Sequence, residues 1–269
     1  MKKERIDKLL VDRGLVESRE LAQRLIMSGA VYVDNQKITK AGTKVSIDSN
    51  IELKEKPKFV SRGGFKLEKG IKAFQPAIDG KTCLDIGAST GGFTDCLLQY
   101  GAKKVYAVDV GKHQLHEKLK LNPKVVSLEK TNARYLSEKE IPEKVDFVVC
   151  DVSFISVLKI LPNICNLLKD GAYGIVLIKP QFELSKKKVK GGVVKDKHLH
   201  IEAIKKVIEG LEESCYTVLD IDFSETWGPE GNIEFLIYIK KGKENKTVNE
   251  EKVYNTVEKA HQKYKQTRG

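Results

Sequence analysis

From residue 61 onward, short apolar runs alternate with longer segments that carry apolar residues on one helical face. Some of the runs are continuously apolar, as in residues 173–178, which is typical of strands in a parallel sheet that is covered on both faces. Strands are therefore predicted near residues 82–86, 104–110, 124–128, 145–151, 172–178, 216–222 and 232–239. Helices are predicted near residues 62–74, 91–100, 155–169 and 197–213.

This alternation predicts an α/β fold with a doubly wound, Rossmann-like sheet over residues 58–243. Only a short loop separates the last two predicted strands, so they should form an antiparallel hairpin at one edge of the sheet. Residues 244–269 are polar and rich in lysine, and they are predicted to form a basic helical tail.

Residues 1–57 have a different pattern, which predicts a separate, small α+β domain. Two short amphipathic helices are predicted within residues 5–27, and Ser18 is placed to cap the second of them. Residues 54–60 are charged and interrupted by Pro57, so they are predicted to be a linker. Short strands are predicted at residues 31–33, 45–47 and 51–53.

Charge and cysteine content narrow the class of protein. The 269 residues include 48 Lys and Arg against 37 Asp and Glu, a net charge of +11 that favours a polyanionic partner. The cysteines form no C-x-x-C pair, and Cys83, Cys150 and Cys165 lie in apolar stretches, so we expect free thiols and neither a disulfide framework nor a zinc site.

The N-terminus has no secretory signal pattern, and no apolar run approaches the roughly 18 residues of a membrane span. We therefore expect a cytoplasmic protein without a membrane segment, for which a monomeric state is plausible.

A glycine-containing loop follows the first strand of the predicted sheet, in residues 84–93. Glycines at this place let the backbone approach a ligand closely, and the start of the next helix offers free N–H groups. A carboxylate two residues before the first glycine argues against a pyrophosphate and for a ligand with a positive group, such as S-adenosylmethionine. The loop residues assigned to this cofactor are Asp85, Gly87, Ser89, Gly91, Gly92 and Phe93.

Two further side chains are assigned to the same cofactor. Asp109 ends the second strand and is placed to bridge two ribose hydroxyls, as carboxylates do in dinucleotide sites. Asn132 follows the third strand, where the edge of an adenine would be bound.

Three other interpretations of the glycine loop are open. Gly87-x-Ser89-x-Gly91 matches the nucleophile elbow of α/β-hydrolases, with His198 or His200 as the base, although no oxyanion motif accompanies it. A dinucleotide site needs a second glycine where Ser89 stands. The third interpretation is a glycine turn with a structural role alone.

Four charged residues stand at or beside predicted strands, where burial is costly unless the charges are paired. Asp151 and Lys179 each end an apolar strand, at the side of an open sheet where ligands bind. Glu234 interrupts the final strand, and Lys66 lies in the helix before the first strand. Each of them alone is compatible with a surface charge, but together with the glycine loop they form the pattern of a site.

Five motifs closely resemble those of the TlyA family of ribosomal RNA methyltransferases. They are Ser61-Arg-Gly-Gly-Phe-Lys-Leu, Asp85-Ile-Gly-Ala-Ser-Thr-Gly-Gly-Phe-Thr-Asp, Cys150-Asp-Val-Ser-Phe-Ile-Ser, Ile178-Lys-Pro-Gln-Phe-Glu and Asn232-Ile-Glu-Phe. The resemblance covers residues 5 to about 240. The stretch from Arg5 to Arg19 resembles an S4 RNA-binding domain, and the later part resembles the FtsJ-type ribose methyltransferases.

The resemblance implies an enzyme that uses S-adenosylmethionine to methylate the 2′-hydroxyl of a cytidine in large-subunit ribosomal RNA, and for some family members also in small-subunit RNA. It implies a catalytic tetrad of Lys66, Asp151, Lys179 and Glu234, with Asp151 also beside the cofactor. Some members of the family carry a haemolysin label.

Lys179 is the candidate for the central chemical role. A ribose hydroxyl is a weak nucleophile that must be held in line with the methyl group. A lysine can stabilise the developing alkoxide or take its proton, and both modes are open for Lys179. Two alternative functions stay open: that of a non-catalytic RNA-binding or ribosome-assembly protein on the same fold, and a haemolysin-like role as in the family's label.

Two further polar patterns lie outside the tetrad. The basic loop of residues 186–192 follows Lys179 and is placed to bind RNA phosphate, with a solvated loop as the alternative. His113 and His116 have a spacing that suits a metal ion, but no thiolate or carboxylate cluster accompanies them. We therefore assign no metal site.

Overall fold

The computed structural model describes residues 2–54, 58–244 and 248–268. The chain divides into two compact units, Met1–Lys58 and Phe59–Gly269. The linker predicted at residues 54–60 includes residues 55–57, which lie outside the described residues, as do residues 245–247 and 269 of the predicted basic tail.

The first unit packs two helices and short strands around an apolar cluster of its own. Its helices are α1 (Ile6–Asp12) and α2 (Arg19–Met27), and Ser18 Oγ caps α2 by accepting a hydrogen bond from the Leu21 N–H at 3.2 Å. Its strands are β1 (Lys3–Arg5), β2 (Val31–Val33), β3 (Gln36–Ile38), β4 (Lys44–Ser46) and β5 (Ile51–Leu53). Strands β3, β2 and β5 form an antiparallel sheet in that order, and β1 pairs with β4. The sequence does not predict β1 and β3, because three largely polar residues show no alternation of apolar positions.

The second unit is built on a seven-stranded sheet. Its strands are β6 (Thr82–Ile86), β7 (Lys104–Val108), β8 (Val125–Leu128), β9 (Val145–Cys150), β10 (Leu168–Ile178), β11 (Tyr216–Phe223) and β12 (Phe235–Lys241). Its helices are α3 (Gly63–Phe74), α4 (Gly92–Gln99), α5 (Glu117–Lys120), α6 (Pro180–Glu183), α7 (Lys197–Glu212) and α8 (Glu250–Arg268).

The strand order is β11–β12–β10–β9–β6–β7–β8. Neighbours from β10 to β8 are parallel, whereas β12 is antiparallel to both β10 and β11. This confirms the predicted doubly wound sheet and the antiparallel hairpin at its edge. We call the end at which the parallel strands finish the carboxyl end of the sheet, and the opposite end the amino end.

Alternate residues of the strands face two apolar clusters, one on each side of the sheet. In β6, Cys83 belongs to the cluster that contains residues of α3 and α4, whereas Leu84 and Ile86 belong to the cluster that contains residues of α7 and α8. Burial on both faces explains why the strands are continuously apolar in sequence.

The α-helix predicted at residues 155–169 is wrong. The chain instead forms two 3₁₀ segments, Val157–Lys159 and Leu161–Leu167. Pro162 lies in the interior of the predicted span, where its missing N–H and its ring disfavour a continuous α-helix. The last strand also begins later than predicted, at Phe235, so Glu234 immediately precedes it.

The expectation of free thiols is wrong for one pair of cysteines. Cys165 and Cys215 form a disulfide that joins positions 50 residues apart. Cys83, Cys96 and Cys150 take no part in a disulfide and are buried, which for Cys83 and Cys150 agrees with the apolar stretches in which they lie. The spacing of the two bonded cysteines gave no indication of the pair, because it is the fold that brings them together.

None of the helices in the described part of the chain has the length and apolar character that crossing a bilayer requires.

Candidate active site

The predicted site residues gather at the carboxyl end of the sheet. The strand order places the loop after β6 between the loops after β7 and β9. A cavity of about 520 Å³ opens among these loops. Its walls include the predicted residues Gly87, Ser89, Asp109, Asn132 and Asp151. The volume lies within the range of small-molecule and cofactor sites.

Gly87 has no room for a side chain. Its φ is +82°, and a Cβ atom there would lie 2.5 Å from the carbonyl oxygen of Asp151. Ser89 also has a positive φ, +49°, and Gly91 at +96° precedes α4. The close approach of the loops after β6 and β9 therefore depends on glycine at position 87.

Asp109 follows β7 and holds the glycine loop. Its Oδ2 accepts a hydrogen bond from the Ser89 N–H at 2.8 Å, and its Oδ1 accepts one from the Gly111 N–H at 2.7 Å. A carboxylate oxygen has more than one acceptor position, so the side chain keeps capacity for ribose hydroxyls. Asn132 is exposed beyond β8, and its Oδ1 accepts a hydrogen bond from the Arg134 N–H at 3.1 Å.

Four other predicted cofactor residues lie behind the cavity wall rather than in it. The Asp85 side chain is completely buried, and its Oδ2 accepts a hydrogen bond from the Thr94 hydroxyl at 2.6 Å. Burial raises the pKa of Asp85 to about 7, and the Asp151 carboxylate adds to the effect, while Thr94 opposes it. Phe93 packs in an apolar cluster, and Gly91 and Gly92 begin α4. Direct contact of these four with a cofactor stays a prediction.

The four predicted tetrad residues form two ion pairs, and Asp151 of the first pair borders the cavity. Lys179 Nζ lies 2.6 Å from Asp151 Oδ1 and donates a hydrogen bond to Ser153 Oγ at 2.9 Å. Lys66 Nζ lies 2.5 Å from Glu234 Oε2, and only 9% of the Lys66 side chain is exposed.

The two ion pairs act on one another electrostatically. Burial is the largest cause of a raised pKa at Glu234, which is completely enclosed, and the Asp151 carboxylate adds to it. The ammonium groups of Lys66 and Lys179 oppose this rise. Two cations and two anions thus share one partly desolvated place, where their interactions are stronger than in water. Such a group can orient a hydroxyl and stabilise charge that develops on its oxygen.

Ser153 is a site residue that the sequence reasoning missed. It stands two residues after Asp151, borders the cavity, and accepts the hydrogen bond from Lys179. The signal was its place in the Cys150-Asp-Val-Ser motif, directly after an apolar strand.

The alternative chemistries are not favoured by the geometry. His200 is buried, with Nδ1 2.8 Å from His261 Nε2 and Nε2 3.1 Å from the Val194 carbonyl oxygen. Both ring nitrogens thus have partners other than Ser89, which weakens the hydrolase interpretation. Among the described residues, no group of three or more His, Cys, Asp or Glu side chains is arranged to hold a metal ion. In the basic loop Lys188 pairs with Glu202 at 2.5 Å.

A second cavity, of about 400 Å³, lies at the amino end of the sheet. Its walls include Asp146, Lys169, Tyr173 and Tyr238. None of the residues predicted for the site borders it.

Comparisons with known proteins agree with this geometry. The FtsJ-like methyltransferase family model matches residues 59–241, and the S4 domain model matches residues 4–51. The chain is 44% identical over 271 residues to the "Putative rRNA methyltransferase YqxC" of Bacillus subtilis, with 98% of this chain and 96% of that protein covered. It is 41% identical over 239 residues to the "16S/23S rRNA (cytidine-2'-O)-methyltransferase TlyA" of Mycobacterium tuberculosis, with 88% and 89% covered.

One solved structure is similar over nearly the whole chain. It is the "Putative hemolysin from Streptococcus thermophilus", with a TM-score of 0.79 and 39% identity, covering 99% of this chain and 98% of that one. The haemolysin label and the methyltransferase names thus both occur among relatives that match this chain over most of its length. The predicted S4 domain, the methyltransferase class and S-adenosylmethionine as its cofactor are confirmed. The chain belongs to the TlyA family, in which an S4 RNA-binding domain is joined to an FtsJ-like methyltransferase domain.

Proposed function

We propose that this protein transfers a methyl group from S-adenosylmethionine to the 2′-hydroxyl of a cytidine in ribosomal RNA. Large-subunit RNA is the first candidate substrate and small-subunit RNA the second. The observation that carries the proposal is the pair of lysine–carboxylate contacts, Lys179 with Asp151 and Lys66 with Glu234, beside the cavity at the carboxyl end of the sheet. The printed names of the relatives, which include cytidine-2′-O-methylation of ribosomal RNA, support the same reaction.

The cavity suits the cofactor in size and in the chemistry of its walls. We assign ribose binding to Asp109, whose carboxylate is already oriented by the backbone N–H groups of Ser89 and Gly111. Asn132, at the far wall, is assigned to the adenine edge. When bound, the cofactor supplies an activated methyl group. Asp85, Gly91, Gly92 and Phe93 support the loop from behind in this proposal.

Lys179 is assigned to the reacting hydroxyl. Its ammonium group is held between Asp151 Oδ1 and Ser153 Oγ, so it is fixed in position beside the cavity. From there it orients the 2′-hydroxyl and stabilises the developing negative charge, or accepts its proton. Lys66 and Glu234 are assigned to the same group of charges, because Glu234 interacts electrostatically with Lys179 and Asp151.

The S4 domain is assigned to the RNA. A net charge of +11 favours binding to a polyanion. We assign residues 1–57 to RNA binding and residues 58–243 to methyl transfer. With ribosomal RNA as substrate, the enzyme acts in the cytoplasm.

The test is transfer of a labelled methyl group from S-adenosylmethionine to purified ribosomal subunits, followed by mapping of ribose methylation. We expect label at the 2′-oxygen of a cytidine, and loss of that modification in cells that lack the protein. Tight binding to ribosomal RNA without any transfer would instead support the non-catalytic RNA-binding alternative. Label on a base would contradict the assignment of the tetrad to a ribose hydroxyl.

A further inference from the structure

A buried carboxylate outside the tetrad joins the two loops that carry Lys179 and Asp151. Glu183 is the last residue of α6 and is only 2% exposed. Its Oε2 accepts a hydrogen bond from the Ser156 hydroxyl at 2.5 Å, and its Oε1 accepts one from the Val157 N–H at 2.9 Å. Ser156 ends the loop that follows β9, and Val157 begins the first 3₁₀ segment.

Lys179 immediately precedes α6 and Glu183 ends it, and the two contact the segment after β9 at different points. Lys179 donates a hydrogen bond to Ser153 Oγ, whereas Glu183 accepts hydrogen bonds from Ser156 and Val157. The start of the loop is held to β6, because the Asp151 N–H donates a hydrogen bond to the Ile86 carbonyl at 2.9 Å. The loop from 151 to 157 is therefore fixed at both ends, with Ser153 between them.

Glu183 is a carboxylate in a buried place, where an apolar side chain would lose less hydration free energy. Burial raises the pKa of Glu183, against the effect of its hydrogen bonds to Ser156 and Val157. Removing a carboxylate from water costs free energy unless hydrogen bonds compensate for it, and here those hydrogen bonds attach α6 to the segment after β9. Glu183 does not border the cavity, so it does not act through contact with a bound cofactor.

We propose that Glu183 is a positioning residue, which holds the loop after β9 so that Ser153 and Asp151 keep Lys179 in its reactive place. This inference rests on the proposed function, since it concerns the same methyl transfer. A displacement of about 1 Å in a reacting group lowers rates by as much as 10²-fold, so the loop position matters to the chemistry.

The test compares single-turnover methyl transfer and cofactor affinity in E183A, E183Q and the wild type. We expect E183A to lower the rate of transfer by about 10- to 100-fold at saturating RNA and cofactor, with cofactor affinity changed by no more than about threefold. E183Q should restore most of the rate, because its amide oxygen can accept the Val157 N–H and its amide nitrogen can donate to Ser156.

Asp146 provides a matched control at the amino end of the sheet. Its Oδ2 accepts a hydrogen bond from the Thr82 N–H at 3.0 Å, and its Oδ1 accepts one from Lys169 Nζ at 2.7 Å. D146A therefore also removes a carboxylate that is hydrogen-bonded to a backbone N–H. We expect D146A to lower thermal stability while the rate of transfer stays within about threefold of wild type.

S156A keeps the proposal testable if E183A does not fold. It removes one of the two hydrogen bonds to Glu183, and we expect a smaller loss of rate that is not additive with E183Q. An E183A rate equal to that of D146A, or an E183Q rate as low as that of E183A, would overturn the proposal. If the wild-type enzyme itself transfers no methyl group to ribosomal RNA, it is the proposed function that fails, so the two failures can be told apart.

Discussion

The two ends of the seven-stranded sheet both pair a lysine with an aspartate and both open into a cavity, yet they bury their charges differently. At the amino end, the Lys169 side chain is 54% exposed where it contacts Asp146. At the carboxyl end, the Lys179 side chain is only 9% exposed where it contacts Asp151. Exposed ion pairs contribute little to stability, commonly about 0–1 kcal/mol, whereas buried ones lose hydration that their attraction only partly repays.

The comparison separates stability from chemistry. The amino end holds the Cys165–Cys215 disulfide, which joins the segment before β10 to the start of β11. The carboxyl end holds the positive-φ loop at Gly87 and the buried charges of the tetrad. The amino end thus has a disulfide and an exposed ion pair. The carboxyl end, where parallel sheets bind ligands, has a positive-φ loop and buried charges that lower stability. Four predictions test this division.

The largest expected effect is that of Gly87→Arg. A Cβ atom at this position would lie 2.5 Å from the Asp151 carbonyl oxygen, and φ is +82°, so an arginine must displace the loop after β9, which forms part of the cavity wall. We expect cofactor affinity to fall by about 100-fold or more without unfolding of the protein, as measured by calorimetric titration. Gly80→Arg is the control, because Gly80 also has a positive φ, +71°, but no neighbouring atom of the described residues lies within 4 Å of its Cβ position. Equal affinities in the two variants would contradict the assignment of the loop.

The second effect is that of Lys179→Ala. The variant should bind cofactor and RNA nearly normally but lose turnover by a factor on the order of 10² or more, because Lys179 contacts the reacting hydroxyl in the proposed mechanism. Lys179→Arg should have little more turnover than Lys179→Ala, since a guanidinium has a different donor geometry and does not act as a base. Lys169→Ala, at the amino end, should keep full activity in the same single-turnover assay. An alanine variant of Lys179 within a few-fold of wild type would place the catalytic group elsewhere.

The third effect concerns pH and Asp85. Its folded-state pKa of about 7 lies above the value of about 3.9 in an unfolded chain, so the folded protein binds the proton more tightly. The free energy of unfolding should therefore decrease as pH rises from about 4 to 7, by up to about 4 kcal/mol from this group. Asp85→Asn should remove that decrease and raise the stability of the cofactor-free protein at pH 8. Thermal unfolding at a series of pH values checks this, and parallel curves for variant and wild type would contradict it.

The smallest effect is that of reducing the disulfide. Cys165→Ser or a reducing agent should lower the free energy of unfolding by about 3 kcal/mol, because the bond closes a long loop in the unfolded chain. The rate of methyl transfer below the new melting temperature should not change, since the bond lies at the amino end. Denaturant unfolding with and without reductant measures the difference. A loss of activity that matches the loss of stability would argue against the division between the two ends.

Much of the site was predictable because its residues lie at strand ends. Gly87, Asp109 and Asp151 follow strands whose apolar patterns are plain, and parallel strands finish at one end of the sheet. Ser153 and Glu183 were not predicted, although both lie within the quoted motifs, because a motif does not show which distant atoms its polar side chains contact. Their roles come from hydrogen bonds across the chain, to Lys179 and to Val157.

The amino-acid sequence by itself determined the alternation of strands and helices, the glycine loop and the four charged positions of the tetrad. These follow from local periodicity, backbone freedom at glycine and the cost of placing charge beside apolar strands. Only the tertiary structure decided that Lys66 pairs with Glu234, 168 residues away, and that Cys165 bonds to Cys215. It also decided that 3₁₀ segments replace the α-helix predicted at residues 155–169. Contacts between distant positions depend on how the layers pack, and no local pattern records that packing.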